Sequence, residues 1–133
     1  MDNIIFNLIN QINTDTIDYN RKSLLQPLCD YIRSKVKQKA EVNLNFICTH
    51  NSRRSQLSQV WAKVLSDFYR VDINTFSGGI EITSCDERTI ASLKRMGFAI
   101  LNPEGENPHF EIKYHETSLS TQENRFPLPQ RTR

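Results

Sequence analysis

Residues 42–79 hold a run that few folds can accommodate: an alternating apolar stretch, seven polar residues, a broad amphipathic stretch, and a second short apolar stretch closed by two glycines. Val42, Leu44, Phe46 and Cys48 alternate with Asn43, Asn45 and Ile47, the two-residue period of a strand over about 42–47. Leu57, Val60, Trp61, Val64, Leu65 and Phe68 recur every three or four positions, which predicts a helix over about 54–69 with a wide buried face. Val71 to Phe76 reads as a second strand, ending in Ser77-Gly78-Gly79, where glycine permits backbone conformations closed to other residues. Strand, helix and strand in this order make a β-α-β unit, whose strands run parallel.

The flanks extend the same order. Ile4, Ile5, Leu8, Ile9 and Ile12 predict a helix over about 3–12. Ser23 with Gln26 three positions on is a capping box, and Pro27 falls in the first turn of a second helix that runs to about Ala40. Leu24, Leu25, Leu28, Ile32 and Val36 form its apolar face, with Cys29 packed beside them, while Arg33, Lys35, Lys37 and Lys39 read as a solvated face. The apolar stripes of both helices predict packing on the sheet. Further on, Asp86 is an N-cap for a helix through Ile90, Leu93 and Met96 that Gly97 stops. Phe98 to Leu101 is extended, Phe110, Ile112 and Tyr114 alternate as a weaker strand, and composition from Thr117 onward is that of a disordered tail. Trp61 and Tyr114 read as packing residues rather than ligand platforms.

Charge and cysteine usage narrow the function. The 17 Lys and Arg exceed the 15 Asp and Glu by only two, so no strong field favours nucleic acid. No apolar run reaches the roughly 20 residues of a spanning helix, and Met1-Asp2-Asn3 lacks the basic start of a signal peptide, so no membrane partner and a cytoplasmic location are expected. Cys29, Cys48 and Cys85 are odd in number and contain no C-x-x-C, which fits neither a disulfide framework nor a zinc site. No metal or cofactor is expected.

Cys48 stands where the first strand ends, and Arg54 and Ser55 stand where the next helix begins. A loop of this length can turn successive N–H groups inward, and the helix start adds free donors and the positive end of its dipole. The product is an oxyanion cradle. Arg54 brings a planar fork for two oxygens of a tetrahedral anion. The same donors and the Arg54 guanidinium lower the pKa of a thiol at the cradle's floor and make Cys48 a nucleophile at neutral pH. Ser55 can donate a hydrogen bond to that thiolate, and Asn51 tolerates the left-handed backbone such a loop requires.

Cys48-Thr49-His50-Asn51-Ser52-Arg53-Arg54-Ser55 resembles the C-x5-R-S phosphate loop of low-molecular-weight protein tyrosine phosphatases and the related thioredoxin-coupled arsenate reductases. Ser77-Gly78-Gly79-Ile80-Glu81 and Arg88 to Gly97 are similar to the segments that follow it, so the likeness covers about residues 42–101. The resemblance implies a flavodoxin-like α/β fold, in which Cys48, Arg54 and Ser55 are catalytic and Thr49, His50, Asn51, Ser52 and Arg53 bind substrate. His50 by itself could pass for a general base, and Arg53 for a surface charge; His50 occupies a position that resembles a variable one. The implied reaction is hydrolysis of phosphotyrosine-type monoesters through a phosphocysteine, with a phosphorylated protein or a small oxyanion as partner. Two alternatives stand beside it: arsenate reduction by the same cysteine, for which Cys85 is a candidate relay thiol, and a truncated remnant that binds an oxyanion without turnover.

The sequence departs from the family in two ways. The aspartate of the family's Asp-Pro pair, its general acid, has no counterpart, because no Asp-Pro occurs. Only 133 − 48 = 85 residues follow Cys48, fewer than the implied later strands and closing helix require. The expected division is therefore a helical extension over 1–41, an incomplete phosphatase-like α/β domain over 42–116, and a disordered or aberrant tail over 117–133. The fold expected is a partial three-layer sandwich with a small parallel sheet, preceded by two helices.

Overall fold

The computed structural model describes residues 3–81, 85–101, 111–114 and 124–125. Four helices occur among them: α1 (Asn3–Asn10), α2 (Tyr19–Lys37), α3 (Arg54–Phe68) and α4 (Glu87–Arg95). The strands are β1 (Val42–Cys48), β2 (Ile73–Gly79), β3 (Ala99–Leu101), β4 (Glu111–Lys113) and β5 (Asn124–Arg125). β1 and β2 form a parallel pair in register from Val42 opposite Ile73 to Cys48 opposite Gly79, with α3 as their crossover. The chain is α/β, a partial form of the flavodoxin-like sandwich that the sequence predicts.

The polar half of the β1 alternation has a structural meaning. Strands buried on both faces are nearly continuous in apolar residues, whereas β1 carries Asn43 and Asn45 between its apolar positions. Val42 is buried and Leu44 and Phe46 partly so, while Asn43, Asn45 and Ile47 are exposed. One face of the two-stranded sheet is open. The other meets α3, where Gln59 donates from its amide to the Thr75 carbonyl at 3.1 Å.

The main core lies on the far side of α3. Val60 and Val64 of that helix meet Ile5 and Ile9 of α1, Ile90 and Leu93 of α4, and Phe98, Ile112 and Tyr114. Trp61 stands edge-on to Phe98, with centroids 5.6 Å apart, as a packing residue should. The Tyr114 hydroxyl donates to the Asp67 carboxylate, which also pairs with Lys63 at 3.3 Å, so the buried phenol has a partner. Asp86 caps α4 by accepting from the Arg88 N–H at 2.7 Å, and Gly97, at φ 103°, ends it as expected.

Several expectations change. The second strand begins two residues later than read, because Val71 is used to close α3: its N–H reaches the Ser66 carbonyl at 2.8 Å while Arg70 takes φ 58°. α2 starts at Tyr19 rather than near Ser23, since Asp18 accepts from the Arg21 N–H at 2.8 Å and caps the helix there. Pro27 consequently lies inside the helix. The two N-terminal stripes also part company: α1 enters the core, whereas α2 has no buried residue and leaves Leu24 73% exposed. Cys29, expected to pack beside that face, is exposed for the same reason. The arm expected over 110–114 is β4, which pairs antiparallel with β3 and β5 and not with the parallel sheet. The tail from Thr117 lies outside the described residues except for Asn124–Arg125, which form β5.

An exposed helix without buried residues is held by its own caps. Asp18→Ala removes one cap bond worth about 0.5–2 kcal/mol. Amide exchange over the first turn of α2 is expected to accelerate by roughly tenfold, with the core amide of Leu93 unaffected. Equal protection at both places in the variant would contradict this.

Candidate active site

β1 delivers Cys48 to the end of the parallel sheet, and α3 begins six residues later at Arg54. Between them the chain folds back on the sulfur. Asn51, fully buried, adopts φ 50°, a left-handed conformation that Asn tolerates better than other non-glycine residues. Three carbonyls of the loop are tied to its surroundings. Thr49 accepts from the N–H groups of Ile80 at 2.9 Å and Glu81 at 3.0 Å, Asn51 accepts from the Gln56 amide at 2.8 Å, and Ser52 accepts from the N–H of Asp86 at 3.0 Å. Backbone N–H groups of His50, Asn51 and Ser55 favour the thiolate of Cys48.

The close approach of β2 fits this packing. Gly79, opposite Cys48 in the sheet register, has no room for a side chain: a Cβ there would lie 2.8 Å from the Asn51 backbone nitrogen. The glycine expected to serve a backbone turn serves here to admit the loop.

Partial burial by itself would raise the Cys48 thiol. The Ser55 hydroxyl and the N–H groups of Ser55, Asn51 and His50 together outweigh it and hold the pKa below the ordinary cysteine value. Sγ lies 3.0 Å from Ser55 Oγ, which also donates to Asn51 Oδ1 at 2.7 Å. A hydroxyl has one proton, so these bonds are linked. With sulfur protonated, the thiol donates to Ser55 and Ser55 to Asn51; once sulfur ionises, the Ser55 proton is drawn to it. Ser55 and Asn51 therefore sense the charge of Cys48 together.

Arg54 is exposed, and its side chain has no hydrogen bond or ion pair among the described residues. Its donors stay available at the first turn of α3. Arg53, also exposed, has Nε 4.0 Å from Asp86, and His50 pairs with Glu81 at 3.1 Å on the rim. Thr49 is exposed and Ser52 partly buried.

Cys85 sits behind the loop, its thiol 3.7 Å from the Ser52 carbonyl. Burial, and then the charge of Asp86, push its pKa up to about 12, so it is a neutral thiol at physiological pH. Sequence reading missed Gln56 and Thr89, both buried and both bonded to the loop. The available signal was a polar residue on an inward helix face, which periodicity scores as noise. Among the described residues no cluster of three His, Cys, Asp or Glu side chains could hold a metal.

The lowered thiol has a measurable consequence. Alkylation of Cys48 by iodoacetamide should follow a midpoint below the roughly 8.5 of a free cysteine, falling off only as pH drops through the folded pKa. The Ser55→Ala variant loses one donor, and its midpoint should rise. A midpoint unchanged by that substitution would rule out the hydroxyl as a thiolate donor.

Fold and loop together define a class: an α/β chain with a strand-end thiol wrapped by backbone amides at a helix start. Curated relatives carry the comparison further. The chain is 43% identical over 58 residues to "Arsenate reductase" of Staphylococcus aureus (strain Newman), a match covering 43% of this chain and 41% of that protein. It is 41% identical over 58 residues to "Arsenate reductase 2" of Staphylococcus haemolyticus (strain JCSC1435), with the same coverage. The resemblance to the arsenate reductase family is thereby shown, and the chain spans about two fifths of the length of the curated relatives it matches. No family model matches the chain, and no solved structure matches it. No helix among the described residues is long and apolar enough to cross a membrane.

Proposed function

We propose that residues 48–55 bind a small tetrahedral oxyanion and that Cys48 attacks it, with arsenate reduction as the reaction. The observation that carries this reading is Ser55 Oγ, 3.0 Å from a sulfur at the floor of a loop whose N–H groups at His50, Asn51 and Ser55 also favour the thiolate. The relatives named arsenate reductase support arsenate over a phosphate ester. This reverses the order expected from the loop alone, which placed phosphotyrosine hydrolysis first.

The thiolate of Cys48 forms a sulfur–arsenic bond as an arsenic–oxygen bond breaks, and the displaced hydroxyl takes a proton from solvent and leaves as water. The donors around the loop and the Arg54 fork stabilise the charge on the remaining oxygens. A second thiol then attacks the Cys48 sulfur. The two sulfurs become a disulfide, the sulfur–arsenic pair of electrons passes to arsenic, and As(V) departs as As(III) oxyanion. That second thiol must be a thiolate to attack, which Cys85 at about 12 is not at neutral pH. The reductant is a soluble dithiol: one of its thiolates forms the disulfide with Cys48, and its second thiol then displaces Cys48, closing the dithiol's own disulfide and returning the Cys48 thiolate.

Phosphotyrosine hydrolysis shares the first step, since phosphate and arsenate have the same shape and charge, and it remains the second reading. The two separate in one assay series. Dithiol-dependent arsenite formation supports reduction, p-nitrophenyl phosphate hydrolysis without arsenite formation supports the phosphatase, and phosphate protection of Cys48 from iodoacetamide without either reaction supports oxyanion binding alone. An absence of all three sinks the proposal.

A further inference from the structure

The tethers on the loop's carbonyls fix the direction of its N–H groups. In a trans peptide C=O and N–H point in opposite directions, and the described residues contain no cis peptide. The peptide joining Thr49 to His50 obeys this visibly. Its carbonyl accepts from Ile80 and Glu81 outside the loop, and its N–H faces the Cys48 sulfur. An external tether on the carbonyl sets an internal donor.

The peptide joining Ser52 to Arg53 is tethered more heavily. Its carbonyl accepts from Thr89 Oγ1 at 2.9 Å, from the Asp86 N–H at 3.0 Å and from the Cys85 thiol at 3.7 Å. All three donors come from the start of α4 and the residues just before it. Thr89 is only 2% exposed, and its helix is anchored in the core through Ile90 and Leu93. The Arg53 N–H must then point away from α4. Among the described residues it has no hydrogen-bond acceptor, so it is left to meet an anion above the sulfur.

Resting on the oxyanion reading of residues 48–55, we infer that Thr89 is a positioning residue: by holding the Ser52 carbonyl against α4 it turns the Arg53 N–H into the cradle as an anion donor. It acts on the bound oxyanion and not on the thiol. A merely structural role would loosen the whole loop and disturb both.

Inorganic phosphate protection of Cys48 from iodoacetamide, followed across pH, separates these. Thr89→Val keeps shape and removes the donor; it should weaken phosphate protection by about tenfold, the scale of one hydrogen bond, while leaving the alkylation midpoint where it is. Thr89→Ser should restore protection. In the unsubstituted protein, the Arg53 amide proton should shift on phosphate titration by NMR, a measurement that stands even if Thr89→Val does not fold. Protection unchanged in Thr89→Val, a midpoint that moves together with protection, no rescue by serine, or an Arg53 amide silent while its neighbours shift would each overturn the inference alone. Absence of phosphate protection and of every loop amide shift in the unsubstituted protein would overturn the oxyanion reading with it.

Discussion

Cys48→Ser is expected to lower dithiol-dependent arsenite formation by at least about a thousandfold, the order seen when a covalent nucleophile is removed. Serine is close to cysteine in size and keeps the strand end and the register opposite Gly79. What it loses is chemistry. The donors from Ser55, Asn51 and His50 hold the thiol below the ordinary cysteine value, whereas a serine hydroxyl starts far too high for the same donors to ionise it. Serine also cannot form the disulfide that carries two electrons to arsenic. Reduction should therefore vanish outright, and a p-nitrophenyl phosphate hydrolysis that needs only a nucleophile would leave a trace. Equal rates for both proteins in either assay would remove Cys48 from that reaction.

Gly79→Ala should strike the site from the strand side. The added Cβ would sit 2.8 Å from the Asn51 nitrogen, 3.0 Å from Asn51 Cβ and 3.0 Å from the His50 carbonyl carbon. These are backbone or rigid atoms, so the peptide between His50 and Asn51 has to move, and the Asn51 N–H is one of the donors to sulfur. Overpacking of this kind costs about 1–3 kcal/mol. The denaturant midpoint should fall, and the Cys48 alkylation midpoint should rise toward that of a free cysteine. An alanine variant with both midpoints unchanged would show that the loop does not rest on β2.

Much of the scaffold is legible in the residues because its signals are local. Alternation at Val42 to Cys48, the apolar period from Leu57 to Phe68, the Asp86 cap and the Gly97 stop each depend on a few neighbours, and their elements stand close to where those neighbours put them. Asp18 shows the limit: it and Ser23 are both competent caps by type, and only the bond to the Arg21 N–H selects between them. The two N-terminal stripes show it again: both predict packing on the sheet, and only the structure separates them. Ile5 and Ile9 find α3 and α4, whereas the leucines of α2 stay largely exposed, and an apolar period does not say what it will meet.

At the candidate site the division is sharper. The order Cys48, Asn51, Arg54, Ser55 between a strand and a helix predicts a wrapped loop, since each residue type has a use set by its own chemistry. The sequence by itself determined those identities, their spacing along the chain and the β-α-β frame that holds them, because periodicity and capping act within a few residues. Only the tertiary structure decided that Gly79, Gln56 and Thr89 brace the loop from β2, α3 and α4, that Arg54 is exposed at the start of α3, and that Cys85 lies half-buried behind the loop. Those contacts join residues up to 37 positions apart, and their geometry follows from how the elements pack, which no local pattern carries.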